Sequence, residues 1–343
     1  MNARAALKSA APAIACYSGI ANALAFRYAG PGVIFMLHST VGKSDTFLLE
    51  DLRCPVAALE WILSWLKDTG IQFVSLDEAM QRLSRPSSGR FCAFTFDDGY
   101  ADNLTHALPV MKRFGAPFTV YVATGMRTGT IDAWWLGLAA LINTHDRIEL
   151  PDLNCRFECS DQATKKRAYL AITERIHSDY DALPAVKAAI SAAGIDSGAL
   201  ARREALSNEQ LRRLAASPLV TIGAHGERHI NLARVSVAEA QQEMISSRRL
   251  LEHIVDREVV HFAYPFGNAN ACGQREARLA RAAGFRTAVT TRHGTLFPQH
   301  RDHPFALPRE ALRADESAVS LRCKIAGVYR AVHSRIGDPV AGM

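Results

Sequence analysis

The chain has 343 residues, 48% hydrophobic and 22% charged, which excludes a disordered tail, a collagen-like repeat and a disulfide-framework miniprotein. The length suits two domains or one α/β barrel. Lys and Arg number 40 against 34 Asp and Glu, a net +6 with no basic block, so nucleic acid is not an expected partner.

Residues 9–26, SAAPAIACYSGIANALAF, follow Arg4 and Lys8 and have the outline of a weak signal-peptide core. Ser, Tyr and Asn interrupt the apolar run, so residues 1–30 read as a helical segment lying on the domain or peripherally on a membrane. A cleaved signal is the alternative, and no run of ~18 uninterrupted apolar residues marks a transmembrane helix. Beyond it come short apolar runs with the length of buried strands: 32–37, 71–76, 91–96, 117–123, 218–224, 259–264 and 285–291. Most are continuous rather than alternating, as expected of parallel strands covered on both faces. Residues 146–206 are charged, Ala-rich and mainly helical with no convincing strand, and read as an insertion. Ser207 and Gln210 form a capping box with Leu206 and Leu211 as a staple. Ser236 and Glu239 open another helix, and a third runs from Gln274 to a stop at Gly284. Strand and helix alternate about seven times, which predicts a parallel α/β barrel or a doubly wound sheet. The seven Cys show no shared spacing and read as reduced, mostly structural thiols.

Chemistry in such folds collects at the C-terminal strand ends. The first strand there delivers His38, the third Asp97-Asp98-Gly99, the fifth His225 with His229, and the sixth Pro265-Phe266-Gly267. Asp98, His225 and His229 have the ligand chemistry of a catalytic zinc site with open positions. Neighbours on a regular strand face opposite sides, so Asp97 and Asp98 can serve one site only where the strand breaks, and Gly99 supplies the break. One carboxylate then binds metal while the other stays free as a base for water. Each piece alone is weak: paired His are common on surfaces, and Asp-Asp-Gly is ordinary turn chemistry.

In combination they are specific. Phe94-Thr-Phe-Asp-Asp-Gly-Tyr100 resembles the first motif of the polysaccharide deacetylase family (NodB homology, carbohydrate esterase 4). Ile222-Gly-Ala-His-Gly-Glu-Arg-His229 resembles the second, and Phe262-Ala-Tyr-Pro-Phe-Gly267 the third, in the form of the Tyr-Pro-Tyr-Gly branch. The flanking helix with Glu243 and Ser247 also reads like that branch, and the resemblance covers roughly 31–135 and 206–310. It implies an α/β fold, a distorted (β/α) barrel of seven or eight strands (31–145 and 207–312) carrying the insertion, with 313–343 as a tail. It further implies a divalent metal, zinc first, with cobalt, nickel or iron as alternatives, held by Asp98, His225 and His229, with Asp97 as base. The reaction implied is hydrolysis of an N-acyl, less often an O-acyl, group from a sugar, and the leading reading is removal of an N-acetyl group from a glycan, oligosaccharide or lipid-linked sugar.

Two departures matter. Many members place an Arg two residues before the Pro of the third motif, orienting the base; here that residue is Ala263. Arg309, in Phe305-Ala-Leu-Pro-Arg309, is the candidate replacement, with a surface or helix-capping role as the alternative. The late Leu-x-x-His that supplies the general acid in many members is also absent. In the circularly permuted branch the equivalent His lies on an N-terminal strand, which assigns His38 as the acid here. Asp132-Ala-Trp134-Trp135 resembles that branch's Trp-Trp loop and is expected to wall an acyl pocket with Tyr264 and Phe266, the backbone N–H near Phe266 being a candidate oxyanion donor. His261 reads as a core histidine and Arg248-Arg249 as a solvated helix face. The other readings are a deformylase or other amide hydrolase on the same scaffold, and a metal-free carbohydrate-binding barrel. The expected location is cytoplasmic, at the inner-membrane face, with a periplasmic enzyme as the alternative.

Overall fold

The computed structural model describes residues 20–42, 47–49, 52–85 and 89–342. Most of the N-terminal segment expected to be helical and to lie on the domain or on a membrane, residues 1–19 of 1–30, is outside the described residues. Among those described, no helix is long and apolar enough to cross a membrane.

Eight parallel strands form the central sheet: β1 (Gly32–Leu37), β2 (Gln72–Phe73), β3 (Phe91–Phe96), β4 (Phe118–Val122), β5 (Val220–Ala224), β6 (His261–Ala263), β7 (Thr287–Val289) and β8 (Glu310–Ala311). The path runs β7-β6-β5-β4-β3-β1-β8, with β2 paired to the start of β3. The seven expected strands are present: those at 32–37 and 91–96 have their expected bounds, and the other five are shorter. The run at 71–76 yields only two strand residues because Ser75 caps the next helix, Leu76–Arg82, accepting from the Glu78 amide. β8 has no counterpart among the sequence-predicted strands. It is two residues long, yet its segment closes the ring: Glu310 and Ala311 pair with β1, while Leu307 bridges to Val289 of β7. The architecture is a distorted (β/α) barrel.

Side chains alternate across the strands, giving two apolar layers. Phe35, Phe94, Phe96, Phe118, Ile222 and Phe262 face the outer helices, whereas Ile34, Ala93, Tyr121, Ala263, Val289 and Leu307 fill the barrel. His261 is fully buried, with Nδ1 2.8 Å from Thr287 Oγ1 and Nε2 3.4 Å from the Asp77 carboxylate. The capping box at Ser207 and the Ser236 cap are formed, and Gly284 has φ of 84° where the third expected helix stops.

The insertion differs from its reading in two ways. Arg147–Leu150 and Cys155–Glu158 form an antiparallel hairpin, whose Ile148 and Leu150 are buried while Arg147 and Glu149 face water. That short alternation is hidden in a charged stretch. The insertion's apolar cluster also draws in the helix Trp134–Thr144, so the unit that packs together begins upstream of residue 146. Residues 313–343 are not a loose tail. Helices Ala318–Ile325 and Val328–His333 pack with Ile20–Tyr28, and the Tyr28 hydroxyl donates to the Gly337 carbonyl at 2.7 Å. Among the described residues five cysteines are free, but Cys323 is disulfide-bonded, which corrects the reading of all the cysteines as reduced thiols. Arg248 is not simply solvated: it donates to the Ala283 carbonyl at 2.7 Å and holds down the end of the Gln274–Ala282 helix.

Gly99 tests how tightly the β3 exit is built. Its φ is 85°, and an added Cβ would stand 2.9 Å from Val122 Cγ1, whereas Gly115, at φ 63°, has open space around it. Gly99→Ala is expected to lower stability by about 1–3 kcal/mol, and by more than Gly115→Ala, in urea unfolding.

Candidate metal centre and its carboxylate neighbour

Asp98 follows β3 with φ of 72°, so the break in the strand falls on Asp98 itself as well as on Gly99. His229 (φ 55°) and Phe266 (φ 63°) are left-handed too, a conformation that L side chains adopt at a cost. The three turns thereby aim their side chains at one point. His225 Nε2 and His229 Nε2 each lie 3.6 Å from Asp98 Oδ1. Among the described residues these three form the one group whose ligand atoms all lie within 4.8 Å of one another.

The environment of this group fits a divalent cation. Asp98 Oδ1 and His229 Nδ1 are buried without a hydrogen-bond partner, and Oδ1 is the atom both imidazoles face. Burial, and then the charge of Asp97, push the Asp98 carboxyl up to about 8, a strain that a cation would relieve. Burial holds His225 and His229 below the ordinary histidine value, in the neutral form that ligates metals. His225 Nδ1 lies 2.7 Å from the Ala263 carbonyl; a donated N–H there leaves the Nε2 lone pair facing Asp98. Ligands on ~2.1 Å bonds to a four-coordinate ion stand a little over 3 Å apart, close to the observed spacing.

Asp97 is gripped by Arg309. The guanidinium donates from both terminal nitrogens to the two carboxylate oxygens at 2.7 Å each, and further to Thr95 Oγ1 and the Thr290 carbonyl. Both side chains are buried. Burial is the strongest single influence and would raise the Asp97 pKa, but the charge and hydrogen bonds of Arg309 together with His225 and His38 outweigh it and hold the carboxyl down at about 2. Arg309 thus reaches Asp97 from the segment that closes the barrel and is buried rather than on the surface. His38, at the end of β1, is close enough for Asp97, Arg309 and His225 to act on it; burial dominates and lowers it to about 4.

An aromatic wall stands over the group. The Trp135 ring lies 4.9 Å from His229 and the Phe266 ring 5.3 Å from it, while Trp135 Nε1 donates to the Tyr100 hydroxyl at 2.9 Å. Trp134 is turned away, against Trp135 and His177. Tyr264 does not line the site. It is fully buried in the outer core, its hydroxyl donating to the Phe305 carbonyl at 3.1 Å, because the strand alternation that sends Ala263 inward sends Tyr264 outward.

Glu243 is a site residue that sequence reasoning did not single out for a role. It is buried on the Val237–Val255 helix and accepts from the Glu227 and Arg228 amides at 2.9 Å each and from Arg228 Nε at 2.6 Å. One carboxylate thus pins the turn between the two histidines. The available signal was an acidic residue on the apolar stripe of an amphipathic helix.

Residues 84–288, more than half the chain, match the polysaccharide deacetylase family. The chain belongs to that family. Its members are hydrolases acting on carbon–nitrogen bonds other than peptide bonds. YxkH of Bacillus subtilis (strain 168), a candidate polysaccharide deacetylase by name, is 21% identical over 263 residues, covering 76% of this chain. The chain spans 64% of the length of that relative. Among solved structures, Streptococcus pyogenes deacetylase PplD in complex with acetate superposes with a TM-score of 0.57 at 17% identity, over 85% of this chain and 97% of that one. IcaB from Ammonifex degensii gives 0.56 at 17%, over 88% and 98%. These likenesses establish the fold.

Two variants probe the packing described. Arg309→Met leaves Asp97 buried without its partner and is expected to cost about 3–5 kcal/mol in urea unfolding, with the Asp97→Asn/Arg309→Met double variant recovering part of the loss. Glu243→Gln is expected to cost about 1–3 kcal/mol in the same assay, through the amide donors it serves less well.

Proposed function

We propose that the chain is a metal-dependent hydrolase that removes an N-acetyl group from an acetylated glycan, oligosaccharide or lipid-linked sugar. The observation that carries this reading is the bidentate Arg309–Asp97 pair beside a second carboxylate, Asp98, whose buried Oδ1 faces two neutral imidazoles. A site that only binds sugar has no use for an oriented second carboxylate. Family membership supports the substrate class, and the acetate held by PplD, a structural neighbour, is the product this reaction would release.

In this reading Asp98, His225 and His229 hold the cation, with zinc the first candidate for two imidazoles and a carboxylate. Such an ion polarises an acyl carbonyl and makes water acidic near neutral pH. The remaining work belongs to side chains. Arg309 keeps Asp97 ionised and fixes its plane, and each carboxylate oxygen retains a lone pair to accept a proton from the attacking water. The water oxygen bonds to the acyl carbon, the carbon–nitrogen bond breaks, and the nitrogen leaves with a proton passed to it by His38. His38 is neutral at pH 7 by its burial, so it serves as a relay rather than a resting cation. Trp135 and Phe266, flanking His229, are the walls for the acetyl methyl. The position of His38 on the first strand, ahead of the other motifs, supports the permuted-type reading.

Plasma mass spectrometry of the purified protein should find near-stoichiometric divalent metal, reduced at least tenfold in Asp98→Ala and His225→Ala. Asp97→Asn should keep the metal while acetate release from N-acetylated amino sugars falls at least a hundredfold. No metal after incubation with excess zinc or cobalt would overturn the mechanism, and formate release from N-formyl sugars in place of acetate would make the chain a deformylase.

A further inference from the structure

His38 stands where the chain leaves one sheet for another. β1 ends at Leu37 in the barrel, and Ser39–Val41 pairs with Arg53–Pro55 in a separate two-stranded parallel sheet. Among the described residues no hydrogen bond holds the His38 imidazole, unlike that of His225, whose Nδ1 lies 2.7 Å from the Ala263 carbonyl. The direction of the His38 ring is therefore inherited from its backbone.

That backbone is gripped from one place. Asn103 Nδ2 donates to the His38 carbonyl at 2.9 Å. Asp102 takes the next two residues, Oδ2 accepting from the Ser39 hydroxyl at 2.5 Å and Oδ1 from the Thr40 amide at 3.1 Å. Asn103 Nδ2 also donates to Asp102 Oδ1 at 3.3 Å, which ties the two holders together. Ser39, Thr40 and Asn103 are buried, and bonds accepted by a carboxylate in such a place are strong. Asp102 and Asn103 follow Asp98 by four and five residues, where a π-helical turn, Asn103–Ala107, opens the helix Leu108–Phe114. Such turns are scarce and concentrate at functional sites. An anchor for the small sheet alone would reach Ser39 and Thr40; the Asn103 amide reaches His38 itself.

We propose that Asn103, with Asp102 beside it, is a positioning residue for His38: it fixes the backbone from which the imidazole meets the departing nitrogen. The inference rests on the deacetylase reading, in which His38 passes a proton to that nitrogen. The first motif then does more than supply Asp97 and Asp98. The same stretch, Asp97–Asn103, also holds the third participant in place, so carboxylates and acid keep a common register.

The test compares a bond whose cleavage needs an acid with one whose cleavage does not. An amine leaves with a proton, whereas para-nitrophenolate leaves unaided. Turnover of an N-acetylated amino sugar and of para-nitrophenyl acetate is measured on the full zinc-loaded chain. Asn103→Leu should lower the ratio of amide to ester turnover at least tenfold, through kcat rather than KM and with metal retained. Ser39→Ala, a smaller change, should move the ratio the same way, and it decides the matter if thermal melts show that Asn103→Leu does not fold. Adding His38→Ala to Asn103→Leu should lower the ratio no further than His38→Ala alone. In the metal-free chain, amide exchange over residues 38–40 should quicken at least tenfold in Asn103→Leu. Equal losses on both substrates, exchange as slow as in the wild type, or additive losses in the double variant would overturn the positioning role, while acetate release by the wild type left the deacetylase reading intact. A wild-type chain that releases no acetate from N-acetylated sugars would overturn that reading, and this inference with it.

Discussion

The contact between Arg309 and Asp97 organises this molecule. Two hydrogen bonds of 2.7 Å, sealed from solvent, join the exit of a central strand to the segment that closes the barrel. Their effect is electrostatic as well as mechanical. With its charge balanced by the guanidinium, Asp97 stays ionised in a place where burial alone would raise its pKa. Its remaining field falls on Asp98, which is left as the uncompensated member of the pair and so becomes the natural seat for a cation. The two adjacent carboxylates are chemically identical and are made different by what each one touches.

Around this contact the backbone gives up regularity at chosen points. Asp98, His229 and Phe266 all sit in the left-handed region, each beside a glycine that is left-handed or close to one that is. Regular strands and helices would spread these side chains over several faces. Irregular turns at the ends of rigid strands bring them together, and buried partners such as Glu243 and the Ala263 carbonyl hold them there.

Much of this was legible in the chain itself. Continuous apolar runs located the main strands, caps located three helices, and the residue types at strand ends picked out Asp97, Asp98, His225 and His229 before any distance was known. What escaped was set by tertiary contact. β8 is too short to give a pattern, and only its place between β7 and β1 makes it a strand. Arg309 could be named but not placed, since its alternative as a surface residue has the same sequence. Tyr264 was misplaced by one step of the strand alternation. Glu243 looked like any acidic residue on a helix, and its service to two amides depends on a turn packed against that helix from elsewhere in the chain.

The closing segment has a consequence for how the barrel is born. Synthesis runs from the N-terminus, so Asp97 leaves the ribosome more than two hundred residues ahead of Arg309. Six of the seven strands in the ring can pair during that interval, and Asp98, His225 and His229 are all available before the last strand exists. Throughout it, Asp97 has no guanidinium to keep it charged once the apolar layers close over it. Until residue 309 arrives the β7–β1 edge lacks its closing strand and Asp97 lacks its guanidinium partner, so closure of the ring and pairing of the buried carboxylate are one event at the end of the chain.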